Sequence, residues 1–286
     1  MSSKERRDAY RITDLDGFHS VVPYIMPKRT EAEVSMRETF DVTDLNKYMA
    51  ARNAAEGTNL KLFHAICTAV ARTIYLRPKM NIFIAGKRYW QRKDITLSFV
   101  VKREFNDQSE ESLMFLTVQP EMDLDKVSKL ILGDVEKVRK EQTNELGDLM
   151  DFVGKLPRFV LNALFWVLGK LEYHGMMPAS LSKDDPNYST VLLSNLGSIG
   201  CGAPYHHLSN YGTCSIMITI GTMHKELVRM PDGASEFRDI VEMTLTLDER
   251  IADGFYFARS LKIAKHLLEN PELLAQSVST PVDIEL

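Results

Sequence analysis

The chain is short of cysteine, of long apolar runs and of positive charge, and each shortage removes a class of protein. Its three cysteines (Cys67, Cys201 and Cys214) are odd in number and widely spaced, without the paired spacing of a metal-binding knuckle. They read as free thiols in a reducing, cytoplasmic compartment. A net charge of −4 at pH 7 gives no basic field for nucleic acid. The segment Met1 to Asp8 is charged with no apolar stretch behind it, which predicts no secretory signal. No internal repeat or low-complexity tract stands out. What is present is 286 residues with 44% hydrophobic content, enough for a large core.

Periodicity orders the chain as mixed strand and helix. Residues 1–35 are polar and irregular and read as an arm packed on the body. Val34 to Phe40 predicts a strand, and Thr43 or Asp44 then caps a helix closed by Gly57. Leu60 to Tyr75 keeps helical period until Pro78. Asn81 to Trp90 predicts a hairpin around Gly86-Lys87, and Ile95–Val101 and Leu113–Val118 predict two further strands. Leu124 to Val138 predicts an amphipathic helix. Ser189 to Ser194 and Cys214 to Ile220 predict strands on either side of the loop that holds His206 and His207.

The segment from 156 to 171 is apolar on nearly every side, with only Asn162 between Arg158 and Lys170. It is shorter than the about 20 residues that cross a bilayer. A helix buried in the domain or in an oligomer contact is the simple reading. A helix lying in a lipid interface, anchored by Trp166 and the flanking cations, is the alternative.

The densest chemistry lies at Leu247-Asp248-Glu249-Arg250-Ile251-Ala252-Asp253-Gly254, a turn between a long apolar strand (Phe237 to Leu247) and a helix of period 3.6. Asp253 is placed to cap that helix, and Asn270-Pro271 to end it. Together with Ser194-Asn195-Leu196-Gly197 and Leu268-Glu269-Asn270-Pro271, this octet resembles the catalytic domain of the dihydrolipoyl acyltransferases of 2-oxo acid dehydrogenase complexes. The resemblance implies an α/β fold, a chloramphenicol-acetyltransferase-like two-layer sandwich with a mixed β-sheet and packed helices. It implies one catalytic domain over 1–286, with arm 1–35 and a helical insert 143–185. It also implies a homotrimer or a cage of trimers.

By the same resemblance, coenzyme A is a substrate, with no metal and no covalently attached lipoyl group. The acyl acceptor is a thiol, another small molecule or a separate lipoyl-bearing protein. The family motif reads Asp-His-Arg, then two apolar residues and Asp-Gly, and this chain has Glu249 at the histidine position. In the family that histidine takes the proton from the attacking thiol, and a serine at the position of Ser194 donates to the oxyanion. The two come from different subunits. The resemblance assigns Ser194, Glu249 and Asp253 to the catalytic set, Asp253 mainly holding the turn. Asn195, Gly197, Arg250 and Gly254 it assigns to substrate or CoA binding.

Three readings of Glu249 stand open. A carboxylate titrates near 4.3 and a thiol near 8.5, roughly, so a working Glu249 base needs burial to raise it. In the second reading the base has moved to His206 or His207, on the loop after the Ser194 turn. In the third, Glu249 is locked to Arg250 or another cation and the fold is a non-catalytic scaffold. A His-His pair without Cys or acidic partners does not suggest zinc.

Overall fold

A computed structural model of the chain describes residues 5–102, 111–140, 153–183 and 185–285. The main sheet has seven strands: β2 (Glu33–Asp41), β5 (Ile95–Lys102), β6 (Glu111–Val118), β7 (Val191–Asn195), β8 (Ile216–Ile220), β9 (His224–Arg229) and β10 (Ser235–Asp248). Their order is β2-β10-β8-β7-β5-β6, with β9 pairing β10 beyond the path. Pairs β5–β7 and β7–β8 are parallel and the others antiparallel. The sheet is therefore mixed. A smaller sheet, β1 (Ala9–Arg11), β4 (Arg88–Arg92) and β3 (Ile82–Ala85), closes over Ala9, Phe83, Ala85 and Trp90.

Four helices cover the main sheet: α2 (Thr43–Glu56), α3 (Leu62–Leu76), α4 (Leu124–Lys140) and, last in the chain, α7 (Gly254–Glu269). Their apolar rows meet Val191, Leu193, Ile216, Ile218 and Val241 in one core. Gly57 ends α2 in the left-handed conformation at φ +66°, where a Cβ would be strained. At the hairpin turn both Gly86 (φ +60°) and Lys87 (φ +57°) are left-handed, as a two-residue turn between twisted strands requires. The Asp41 carboxylate, not Thr43 or Asp44, starts α2 by accepting from the Thr43 N–H, because the Thr43 hydroxyl is taken by the Asp239 N–H.

Two further expectations need correction, and one strand was not foreseen. The arm is not irregular: it holds β1 and α1 (Gly17–Ile25), whose N-cap Asp16 accepts from the His19 N–H. β9 is a strand that sequence periodicity does not reveal. The second correction concerns the apolar segment, which forms α5 (Arg158–His174) and is followed by the one-turn α6 (Ala179–Ser182). No residue of α5 is buried. Val160, Leu164 and Leu168 are half-buried against the body, while Phe159 is 74% exposed and Trp166 65%. Burial within the domain is thus not its state, and the outward face is open. The part of the insert at 143–152 lies outside the described residues. Among the described residues no helix is long and apolar enough to cross a membrane.

Candidate active site

β10 ends at Asp248, and side-chain alternation through the turn sends successive residues to opposite faces. Asp248 and Arg250 point inward and Glu249 points out. Asp248 is fully buried and takes Nε and Nη2 of Arg250, each at 2.7 Å, with the Arg250 N–H at 3.2 Å. Arg250 gives its remaining Nη1 to the Met26 carbonyl at 2.9 Å. A second guanidinium, Arg29, has its Nε 3.7 Å from the Asp248 Oδ2 that also takes Arg250 Nη2, and donates to the Ser209 and Gly212 carbonyls. Arg250 thus ties the turn to the arm through Asp248 and the Met26 carbonyl.

Glu249 is exposed. Its N–H donates to the Ala32 carbonyl at 2.9 Å, and its carboxylate has no ion-pair or hydrogen-bond partner among the described residues. The Glu249–Arg250 lock does not form, because Asp248 occupies that arginine. Asp253 caps α7, its Oδ1 accepting the Tyr256 N–H at 2.7 Å. Gly254 is the exposed first residue of that helix, with open space where a Cβ would stand.

Ser194 lies elsewhere. It stands one residue before the end of β7, level with Thr219 of β8, which is level with Thr244 of β10. Thr244 is five residues from Glu249, so Ser194 and Glu249 stand apart by roughly 16 Å along the strands and about 10 Å across them. One chain does not bring the pair together. The Ser194 hydroxyl is half-buried and has no partner among the described residues. Asn195 leads into the short 3-10 turn Leu196–Ile199, its carbonyl accepting from the Ser198 hydroxyl at 2.7 Å. A Cβ on Gly197 would meet the Gly221 carbonyl oxygen at 2.3 Å, so this glycine permits a backbone contact that holds the turn down.

The histidine loop is a strap running up the sheet. Near its start, the Pro204 carbonyl accepts from Thr244 at 2.6 Å, at the level of Ser194. Further on, the Leu208 N–H donates to Glu33, the strand partner of Asp248, at 3.0 Å. His206 and His207 lie between these points, both exposed, their rings 4.9 Å apart and, among the described residues, hydrogen-bonded to strap carbonyls alone. The strap thus leads from the Ser194 end toward the Glu249 end. Among the described residues no group of three or more His, Cys, Asp or Glu could hold a metal.

Sequence reading missed the role of Arg29, an arm cation whose partners lie about 180 to 220 positions away. The one local signal was an Asp and an Arg two apart at a strand end, which share a face.

Comparison with known proteins converges on one fold. Residues 175–276, which include Ser194 and the octet, match the family described as 2-oxoacid dehydrogenases acyltransferase (catalytic domain). The chain is 27% identical over 252 residues to the lipoamide acyltransferase component of the branched-chain alpha-keto acid dehydrogenase complex of Bacillus subtilis (strain 168). That match covers 85% of this chain and 49% of the relative, so the chain spans about half the length of the curated relative. The cubic core of a pyruvate dehydrogenase multienzyme complex superposes with TM-score 0.61 at 16% identity, covering 93% of this chain and 94% of the other. A chloramphenicol acetyltransferase superposes with TM-score 0.51 at 12% identity, covering 91% and 99%. The fold is chloramphenicol-acetyltransferase-like, and the chain resembles the acyltransferase catalytic domain.

Proposed function

We propose that the chain is a single-domain, CoA-dependent acyltransferase whose site is completed between copies of itself, with Glu249 as the base and Ser194 as the oxyanion donor. The observation that carries this reading is the division of labour at the turn. Asp248, Arg29 and Arg250 fix the backbone, and the Glu249 carboxylate is left outward and without a partner among the described residues. The separation of Ser194 from Glu249 supports the intersubunit form: a neighbouring copy must supply one of the two. That copy also supplies the burial that turns an exposed carboxylate into a competent base for a thiol.

The chemistry balances without a metal. Glu249 takes the proton from the sulfhydryl, and the sulfur attacks the thioester carbonyl. The Ser194 hydroxyl donates to the oxyanion, and collapse expels the other sulfur, which regains the proton from Glu249. The acceptor is a thiol such as a dihydrolipoyl group carried by another chain, or another small nucleophile. His206 and His207 are a second reading for the base, favoured by the course of their strap from one end of the site to the other.

The test offers acetyl-CoA with dihydrolipoamide and a panel of small thiols and follows thioester loss. The account expects turnover, and a fall of about 10²-fold or more in Glu249→Ala with the oligomer intact. Unchanged rates in that variant, with loss in His207→Ala, would move the base to the strap. No affinity for CoA by calorimetry would leave the non-catalytic scaffold.

A further inference from the structure

α5 takes no part in the proposed transfer chemistry, and its two sides differ. Val160, Leu164, Leu168 and Leu171 recur at helical spacing and are half-buried. Turned away from them, Phe159, Ala163, Trp166, Lys170 and Tyr173 form a second row, and all five are exposed. Lys170 Nζ lies 5.6 Å over the Trp166 ring. Phe165 leaves that row, its ring meeting Tyr211 edge-on at 6.2 Å. A contiguous aromatic surface of this kind marks a place where something docks.

Charge narrows what docks there. Arg158 and Lys170 on α5 and Lys155 just before it are exposed, with no ion-pair partner among the described residues. Lys87 stands exposed beside the far end of α5, in the turn whose Gly86 abuts the Tyr173 carbonyl, with its Nζ 4.3 Å over the exposed Tyr24 ring. The one acid on α5 is Glu172, which lies half-buried on the inner side and is held by Arg6 at 2.8 Å. Asp185, further along, is half-buried and accepts from Asn187. Among the described residues, then, the outward face of α5 carries aromatic rings and cations without an acid. This is local positive charge on a chain whose net charge is −4.

That combination fits an anionic lipid surface better than a second copy. A two-fold contact sets a surface patch against itself, which would bring Arg158, Lys170 and their counterparts together with no acid between them. The face is a convex ridge on which Asn162 is the one neutral polar side chain, so it offers a protein partner little to read by hydrogen bonds. Tryptophan and tyrosine favour the boundary between headgroups and acyl chains, and lysine and arginine reach the phosphates from there. The helix lies on the bilayer and does not cross it: its 17 residues span roughly 26 Å against about 30 Å of hydrocarbon.

We propose that α5 docks the protein flat on an anionic lipid surface, with Phe159, Trp166 and Tyr173 entering the headgroup boundary and Lys155, Arg158 and Lys170 meeting the phosphates. The docking face is separate from Ser194 and Glu249 and does not depend on the acyltransferase reading.

Tryptophan emission on the full chain tests it, because of the two tryptophans Trp90 is buried and Trp166 exposed. Acrylamide should quench Trp166 readily in buffer. Vesicles of phosphatidylcholine with about one-third phosphatidylglycerol should shield it, move its emission to shorter wavelength and sediment the protein. Vesicles of phosphatidylcholine alone should bind at least about ten-fold more weakly. Replacing Lys155, Arg158 and Lys170 together by glutamine should weaken binding to the anionic vesicles roughly 100-fold, at about five-fold per cation. Phe159→Glu with Trp166→Glu should abolish sedimentation. Both variants should keep the oligomer size and thioester turnover of the parent. The proposal is overturned by a clean supernatant, by equal binding to the two kinds of vesicle, or by sedimentation of the glutamate variant. Trp166 already shielded in buffer would overturn it too, since the chain itself or a second copy would then cover the face. A smaller oligomer in the glutamate variant would give the face to a second copy.

Discussion

Asp248 and Glu249 are adjacent, and substituting each by its amide should have opposite consequences. Asp248→Asn removes the charge from a fully buried carboxylate that meets Arg250 at 2.7 Å twice and stands 3.7 Å from Arg29. Two buried guanidiniums then face a neutral amide, one of whose groups is a donor pointed at donors. Breaking a buried pair from one side costs about 3–5 kcal/mol. At about 2–4 °C per kcal/mol for large domains, the melting temperature should fall by on the order of 10 °C. Glu249→Gln touches an exposed side chain with no partner among the described residues, so its effect on stability should stay within about 0.5 kcal/mol while thioester turnover collapses. Differential scanning calorimetry beside the turnover assay reads both. A melting temperature for Asp248→Asn within about 2 °C of the parent would refute the claim that this pair fixes the turn.

Other outcomes concern separate parts of the molecule. His64 is buried on α3 against the Ser128 hydroxyl at 2.8 Å, and burial, with Lys61 nearby, pushes its titration down to about 4. The unfolded chain binds this proton from about pH 6.5 downward and the native chain does not until about 4. Stability should therefore drop by about 3 kcal/mol as pH falls through that window, and urea titrations should show a shallower drop in His64→Gln. Gly197→Ala should destabilise by about 1–3 kcal/mol, since its Cβ would overlap the Gly221 carbonyl; an unchanged urea midpoint would argue against the close approach. Phe159→Glu with Trp166→Glu on the open face of α5 should leave the circular dichroism spectrum and the gel-filtration volume unchanged. A smaller species would assign that face to a contact between copies instead of lipid.

Much of the architecture was legible because its helices and buried strands carry clean periods: α3, α7, β8 and β10 follow from apolar spacing alone. β9 was not, since His224, Lys225, Glu226 and Arg229 are exposed and polar and the strand exists only by pairing with β10. α1 was hidden by Pro23, which sits within the helix. The helical state of α5 could be read from composition, but composition does not say whether an apolar face has a partner within its own chain. At the site, the turn, the Asp253 cap and the Ser194 strand end were legible locally. The distance between Ser194 and Glu249 was not, because it depends on the register of three strands, and neither was the clasp of Arg29 on Asp248.

The central claim is that Ser194 of one copy works with Glu249 of another, and complementation measures this directly. Ser194→Ala and Glu249→Ala are each expected to be nearly inactive alone. When the two are unfolded and refolded together in equal amounts, each interface has about one chance in four of receiving an intact serine from one side and an intact glutamate from the other. The mixture should then recover about a quarter of the parent turnover. A mixture no more active than its two components would contradict a site shared between chains.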